Sequence, residues 1–180
     1  MTKAKVRQMA ENILAEATKA AKKGPPPVHL WNPPYCGEMD MRIARDGTWF
    51  HEGSPIGRAP MVRLFASILK LEEGRFYLVT PVEKLGITVE DAPFVAVDFT
   101  VENGVVEFVT NVEDRVVLGP EHGLRMEGGA PYVMVRRGLE ARVDRKSFYR
   151  LMELGEVEGE WFGVRSSGVF FPVMRAAELG

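Results

Sequence analysis

Between Trp31 and Phe65 the hydrophobic pattern of the chain changes period. Residues 40–51 alternate around an Asp46-Gly47 turn signal, as the arms of a β-hairpin do. Residues 60–69 then carry Met61, Leu64, Phe65, Ile68 and Leu69 at the spacing of one helix face, with Pro60 suited to the first turn. A similar layout starts again near Tyr132, where residues 132–135 and 139–143 flank Arg137-Gly138 and Asp144 can cap a helix over 145–154. Strand, turn, strand, helix, strand occurs twice. The layout restricts the fold to α+β, with two related units of antiparallel strands and one packed helix each, a duplicated core.

A two-residue turn at Asp46-Gly47 would pair Arg45 with Thr48, Ala44 with Trp49, Ile43 with Phe50 and Arg42 with His51. In that register Met41, Ile43 and Phe50 share a core face, and Asp40, Arg42, Trp49 and His51 share the other. Residues 3–22 read as an amphipathic helix with Val6, Met9, Ile13, Leu14 and Ala17 on one side, Lys22 and Lys23 in its last turn and Gly24 as its stop. The Pro25-Pro26-Pro27 run is a stiff linker. The alanine-rich stripe suits packing on the chain's own body or on a second copy, which makes a homodimer a candidate assembly. The division expected is a helix and linker at 1–24, a first unit at 25–80 and a second at 81–180.

Glu72-Glu73-Gly74 reads as the end of the helix from Pro60, followed by a strand at 75–80. Thr80-Pro81-Val82-Glu83 has the form of a capping box and predicts a short helical turn as far as Gly86. Residues 87–89 and 94–101 look extended. Asn103-Gly104 then marks the strongest hairpin, returning through 105–111 and placing Val95, Val97, Phe99 and Val101 on one face with Val106 and Phe108. Short strands at 115–118 and 124–126 and a hairpin of 160–165 with 169–173 around Ser166-Ser167-Gly168 complete the pattern.

Composition narrows the functional classes. Residues 1–23 carry Lys3, Lys5, Arg7, Lys19, Lys22 and Lys23 against Glu11 and Glu16, so within a net charge of −2 the remaining chain is net −6. An acidic body argues against nucleic acid as a partner, since grip on a phosphate backbone needs a concentrated basic face. No apolar run reaches a membrane span and the N-terminus lacks a signal-peptide stretch, so no membrane association is expected. One cysteine, Cys36, excludes an intrachain disulfide framework and fits a cytoplasmic protein. Beyond residue 24 there are fourteen Arg but three Lys, a bias that suits carboxylate or phosphate recognition but that a GC-rich genome produces equally well.

Several blocks together resemble one family. Trp31-Asn32-Pro33-Pro34, Cys36-Gly37, Met41-Arg42-Ile43 and Asp46-Gly47-Thr48-Trp49 are similar to the opening signature of an uncharacterised bacterial family, domain of unknown function 1285. Thr80-Pro81-Val82-Glu83-Lys84, Glu90-Asp91-Ala92-Pro93-Phe94, and Tyr132 with Arg136 through Arg142 resemble its later blocks. The resemblance runs over nearly all of the chain from residue 25. It implies a core duplicated in two domains, the second loosely like a pleckstrin-homology fold. It also implies a suspected interdomain site for a nucleotide-like ligand and a role in signalling, with no established activity.

The candidate ligand-binding residues are Asp40, Arg42, Trp49, His51, Arg58 and Arg63 of the first unit and Tyr132, Arg136, Glu140 and Arg142 of the second, with Lys84 and Asp91 at the junction. Two units facing each other would make an Arg-rich cleft in which Arg holds an anionic small molecule and Trp49 or Tyr132 stacks on a ring. The same residues also fit a solvated sheet face laced with salt bridges. Glu83 is explained by the capping box alone. Cys36, His29, His51 and His122 match no zinc spacing and no Cys/His dyad, so no metal and no cofactor is expected. Glu38 with Asp40 and Glu90 with Asp91 are carboxylate pairs whose separation sequence does not give. Neither a P-loop nor a dinucleotide fingerprint occurs. A cytoplasmic, non-enzymatic ligand-binding or signalling module is the leading expectation. The alternatives are an enzyme acting on a phosphorylated small molecule in the same cleft, or a protein-interaction module.

Overall fold

A computed structural model describes residues 3–21 and 25–180, and for residues 3–7, 9, 20 and 21 the backbone only. The expected helix end at Lys22, Lys23 and Gly24 lies outside the described residues. The chain divides into two compact units, Met1–Asp91 and Ala92–Gly180.

The first unit opens with α1 (Lys3–Ala21), which packs on its own body, burying Ile13 and Ala17. A 3₁₀ turn at Val28–Leu30 leads into β1 (Tyr35–Ile43), β2 (Trp49–His51), β3 (Ser54–Pro55), α2 (Ala59–Ser67), β4 (Leu69–Glu72), β5 (Arg75–Val79) and β6 (Lys84–Val89). The sheet order is β3-β2-β1-β6-β5-β4. Its central pair, β1 with β6, is parallel and its other pairs are antiparallel. Two three-stranded meanders therefore meet at one parallel seam, with α2 in the connection between them. Met39, Met41, Ile43, Leu85 and Ile87 turn inward on the buried face, where Phe65 and Ala66 of α2 are also buried.

The second unit runs through β7 (Phe94–Glu102), β8 (Val105–Thr110), β9 (Arg115–Val117), β10 (Leu124–Glu127), β11 (Ala130–Arg136), β12 (Leu139–Val143), α3 (Arg145–Met152), β13 (Glu156–Glu158), β14 (Trp161–Ser166) and β15 (Val169–Arg175). Its six-stranded sheet, β10-β11-β12-β7-β8-β9, repeats the first: two meanders joined by a parallel seam, here β12 with β7. A separate antiparallel sheet, β13-β14-β15, follows α3. Ser166 ties that sheet down: its buried hydroxyl accepts from the N–H of Val106 at 2.9 Å and donates to the carbonyl of Leu118 at 2.6 Å. The α+β class and the duplicated core hold. Two sheets with one helix accord with the loose pleckstrin-homology likeness of this unit.

The sheets correct four details of the sequence reading. The structural repeat begins at Phe94, because β7-β8-β9 and β10-β11-β12 occupy the places of β1-β2-β3 and β4-β5-β6. The hairpin after Tyr132 matches β5-β6, not the Asp46-Gly47 hairpin. Residues 84–89, read as part of the second unit, pair on both sides within the first sheet, so the division falls after Asp91. Leu69–Glu72 is a strand, returning through Glu73-Gly74 to β5. Thr80-Pro81-Val82-Glu83 is a tight strand connection rather than a helical start: Thr80 Oγ1 accepts from the N–H groups of Val82 and Glu83, and the Thr80 N–H donates to the Glu83 carbonyl.

Turn chemistry decides the most consequential register. Asn103-Gly104 takes positive φ at both residues and closes a two-residue hairpin between Glu102 and Val105, as expected. Asp46-Gly47 does not. Only Gly47 is left-handed, at φ +91°, while the Gly47 N–H donates to the Ala44 carbonyl and the Ala44 N–H to Thr48. Asp46 accepts the Thr48 N–H at 2.9 Å, and that bond holds its carboxyl below the ordinary value. The loop is three residues long, so Ile43 pairs with Trp49, Arg42 with Phe50 and Met41 with His51. A slip of one residue moves each side chain of the arm to the opposite face.

Candidate functional site

The slip separates residues expected together. Trp49 enters the core at 1% exposure, its ring stacked on Phe65 with centroids 6.3 Å apart and planes at 15°. It is no platform for a ligand ring. His51 turns to the same side, because alternate residues of a strand share a face.

Asp40 and Arg42 stay on the polar face, where Phe50 has replaced Trp49. Arg42 lies 4.2 Å above the Phe50 ring and donates to Glu90 Oε1 at 2.7 Å, while Glu90 Oε2 accepts the Arg45 N–H. Lys84 donates to Glu72 at 2.9 Å and sits 4.9 Å from the Tyr77 ring. Glu72 also accepts from Lys70; these bonds, Lys70 foremost, lower its carboxyl, and the Glu72 contact raises Lys84. Along the same strands Glu38 accepts from Tyr35 and Arg75, its carboxylate lying over Gly86 where a Cβ would stand. Arg58 precedes α2 and is exposed, Arg63 lies within α2, and Asp91 closes the unit.

In the second unit Tyr132 stands opposite Arg142 and Met134 opposite Glu140, so Tyr132, Glu140 and Arg142 do share a face. Tyr132 is buried beneath Arg125, which also makes a two-pronged bond to Glu140 at 2.7 Å per prong and pairs with Glu127. Those carboxylates, Glu140 first, push the guanidinium above its ordinary value. Arg136 donates to Asp114 at 2.6 Å and covers the Phe94 ring. Arg42, Arg125 and Arg136 each already hold a carboxylate, and a bound anion would have to displace it.

The first unit contains a partly open space bordered by His51. It measures about 220 Å³ and is lined by Ala10, Glu11 and Leu14 of α1, by His51, by Ile56 beyond β3, and by Met61 and Phe65 of α2. Among the described residues, the buried Nε2 of His51 has no hydrogen-bond partner, and neither has the buried indole N–H of Trp49. Buried polar atoms are paired in the great majority of cases, and neither of these two is reached by a water-sized molecule in the space. Of the residues expected to bind a ligand, only His51 lines this space. Leu14, Met61 and Phe65 went unread as a site because their helical stripes signal core packing equally well, and Glu11 and Ile56 carry no signal of their own.

What these features define is a two-unit α+β protein that repeats a pair of three-stranded meanders, with an apolar cavity under the N-terminal helix of its first unit. The chain belongs to the DUF1285 family. The family model "Domain of unknown function (DUF1285), N-terminal domain" matches residues 26–92, and "Protein of unknown function (DUF1285), C-terminal domain" matches 93–173. A crystal structure of a DUF1285 family protein from Silicibacter pomeroyi DSS-3 is similar at 59% identity and a TM-score of 0.86, over 93% of this chain and 97% of that one. A second, from Shewanella baltica OS155, is similar at 27% identity and a TM-score of 0.55, over 63% of this chain and 91% of that one. No curated protein matches. Among the described residues no helix is long and apolar enough to cross a membrane.

Proposed function

We propose that this protein is a non-enzymatic ligand-binding module of the cytoplasm, and that its ligand occupies the cavity between α1, β2 and α2. The observation that carries this reading is the largely apolar space of about 220 Å³ walled by α1, His51, Ile56 and α2. A space of about 220 Å³ corresponds to about seven waters at about 30 Å³ each, below the about 300–1,000 Å³ of sites for drug-sized ligands. It suits a small, largely apolar molecule with one polar group, in preference to the nucleotide-like anion that the arginine content suggests.

A signalling role would draw on the same place. Ala10, Glu11 and Leu14 form one wall, so a ligand that fills the space also adds contacts that hold α1 against α2. Occupancy and helix docking are then linked, each favouring the other by the same free energy. An NMR screen of small phenols and alcohols against methyl-labelled protein tests the proposal. Ligands shift the Leu14, Ile56 and Met61 methyls saturably and slow amide exchange in α1. Saturable binding that leaves those methyls and α1 unchanged overturns it.

A further inference from the structure

Leu85 and Ile87 turn toward the buried side of the first sheet, so Gly86 between them lies on the opposite face. On that face one row crosses four strands: Glu38 of β1 stands beside Gly86 of β6, Gly86 beside Tyr77 of β5, and Tyr77 beside Lys70 of β4. Gly86 has no side chain, which leaves a notch in the row, and the Glu38 carboxylate is folded into it. The three atoms nearest to a Cβ set at Gly86 are the carboxyl carbon and both carboxylate oxygens of Glu38. There the carboxylate accepts a hydrogen bond from the Tyr35 hydroxyl at 2.8 Å and another from the Arg75 guanidinium. A cradle for a carboxylate is thus assembled, with a cation, a neutral donor and a shaped floor, and its occupant is a side chain of the protein itself.

The cradle does not depend on Glu38 for its shape. Arg75 lies 5.4 Å from the centroid of Tyr77 and 6.0 Å from that of Tyr35, and the two rings meet edge to face at 6.2 Å. Attraction to the rings holds the guanidinium in place when its carboxylate leaves. Charge favours a replacement: Lys70 and Lys84 share the single carboxylate of Glu72, so these two with Arg75 make three cations against Glu72 and Glu38. The contact with Glu38 raises the Tyr35 hydroxyl above its ordinary value, so Tyr35 stays a donor at neutral pH. Glu38 is also easily dislodged. It and Arg75 are each 54% exposed, and an ion pair so placed is worth at most about a 5-fold preference. We infer that the notch at Gly86 is a binding site for the carboxylate of a small organic acid, with Glu38 as its built-in competitor. The incoming carboxylate accepts from Arg75 and Tyr35 as Glu38 does, and Glu38 yields the place when the acid is abundant.

Sodium acetate, titrated against sodium chloride at matched ionic strength, tests the site through the NMR signals of the amide at position 86 and the Arg75 Nε–H. Acetate shifts both saturably in the wild type, and binds about 5-fold tighter to Glu38→Ala, where nothing competes. Adding Gly86→Ala to that variant changes no charge and fills only the notch, and the affinity falls at least 5-fold. Arg75→Gln, a change on an exposed side chain, abolishes the shift at position 86. Acetamide, the neutral isostere, shifts neither signal. If Glu38→Ala does not tighten acetate, Glu38 is no competitor and the inference is overturned. Undiminished binding after Gly86→Ala or Arg75→Gln overturns the notch as the site, and equal shifts by acetamide overturn the carboxylate as its ligand. None of these results bears on the cavity, whose reporters are the Leu14, Ile56 and Met61 methyls.

Discussion

Replacing His51 with leucine is expected to make the ligand-free protein more stable, which is the reverse of the usual outcome for a partly buried residue. The imidazole Nε2 is buried and, among the described residues, unpaired. Leaving such an atom unsatisfied costs about 1–3 kcal/mol. Leucine has no polar atom to satisfy and extends the apolar lining already formed by Leu14, Ile56, Met61 and Phe65. Allowing for loss of the imidazole's own packing, the net gain is about 1–2 kcal/mol. A chain of this length gains about 2–4 °C in Tm per kcal/mol, so the melting temperature rises by about 2–8 °C. Calorimetric melts of ligand-free wild type, His51→Leu and His51→Gln at neutral pH measure it, the glutamine variant keeping a polar atom and gaining less. A fall of about 1 kcal/mol or more for His51→Leu refutes the reasoning, because it means that Nε2 is satisfied in solution.

Trp49→Ala removes an indole at 1% exposure stacked on Phe65 and lowers stability by about 3–5 kcal/mol in urea titration; a loss under about 1 kcal/mol contradicts its place in the core. Gly163→Ala sets a Cβ 2.1 Å from the Phe171 carbonyl oxygen, so β14 and β15 must part, and amide exchange in that sheet accelerates at least tenfold. Glu72 has its carboxyl lowered from 4.5 by Lys70 and Lys84. In acid the unfolded chain therefore takes up the proton first: the stabilisation is complete above about pH 4.5 and disappears as pH falls through the lower folded value. Glu72→Gln flattens that limb of a urea-midpoint titration between neutral pH and pH 3.

Most of the architecture was legible because it is local. The Asp144 cap on Ser147, the α2 stripe and the Asn103-Gly104 hairpin each follow from a few neighbouring residues. Strand order was not, since the parallel seams β1-β6 and β7-β12 join residues that no local pattern connects. That is why the repeat was read as starting at Tyr132 instead of Phe94. At Asp46-Gly47 the turn signal was right and its length wrong. Thr48 N–H on Asp46 favours three residues, and the larger ring with its stack on Phe65 gains more from burial than Phe50 would. One residue of slip moved Trp49 off the candidate surface and brought His51 to the cavity. Glu11 had no chemical signal of its own in the sequence; its relevance comes from α1 packing on α2.

Native mass spectrometry of freshly purified wild type beside Ala10→Phe, each incubated with 4-ethylphenol, tests most directly whether the cavity is a binding site. Phenylalanine at position 10 fills space that Ala10 leaves open in the lining. The account predicts a one-to-one complex in the wild type, formed with 4-ethylphenol or with a small molecule retained from the cell, and its loss from the folded variant. Equal occupancy in both proteins, or none in the wild type, contradicts it.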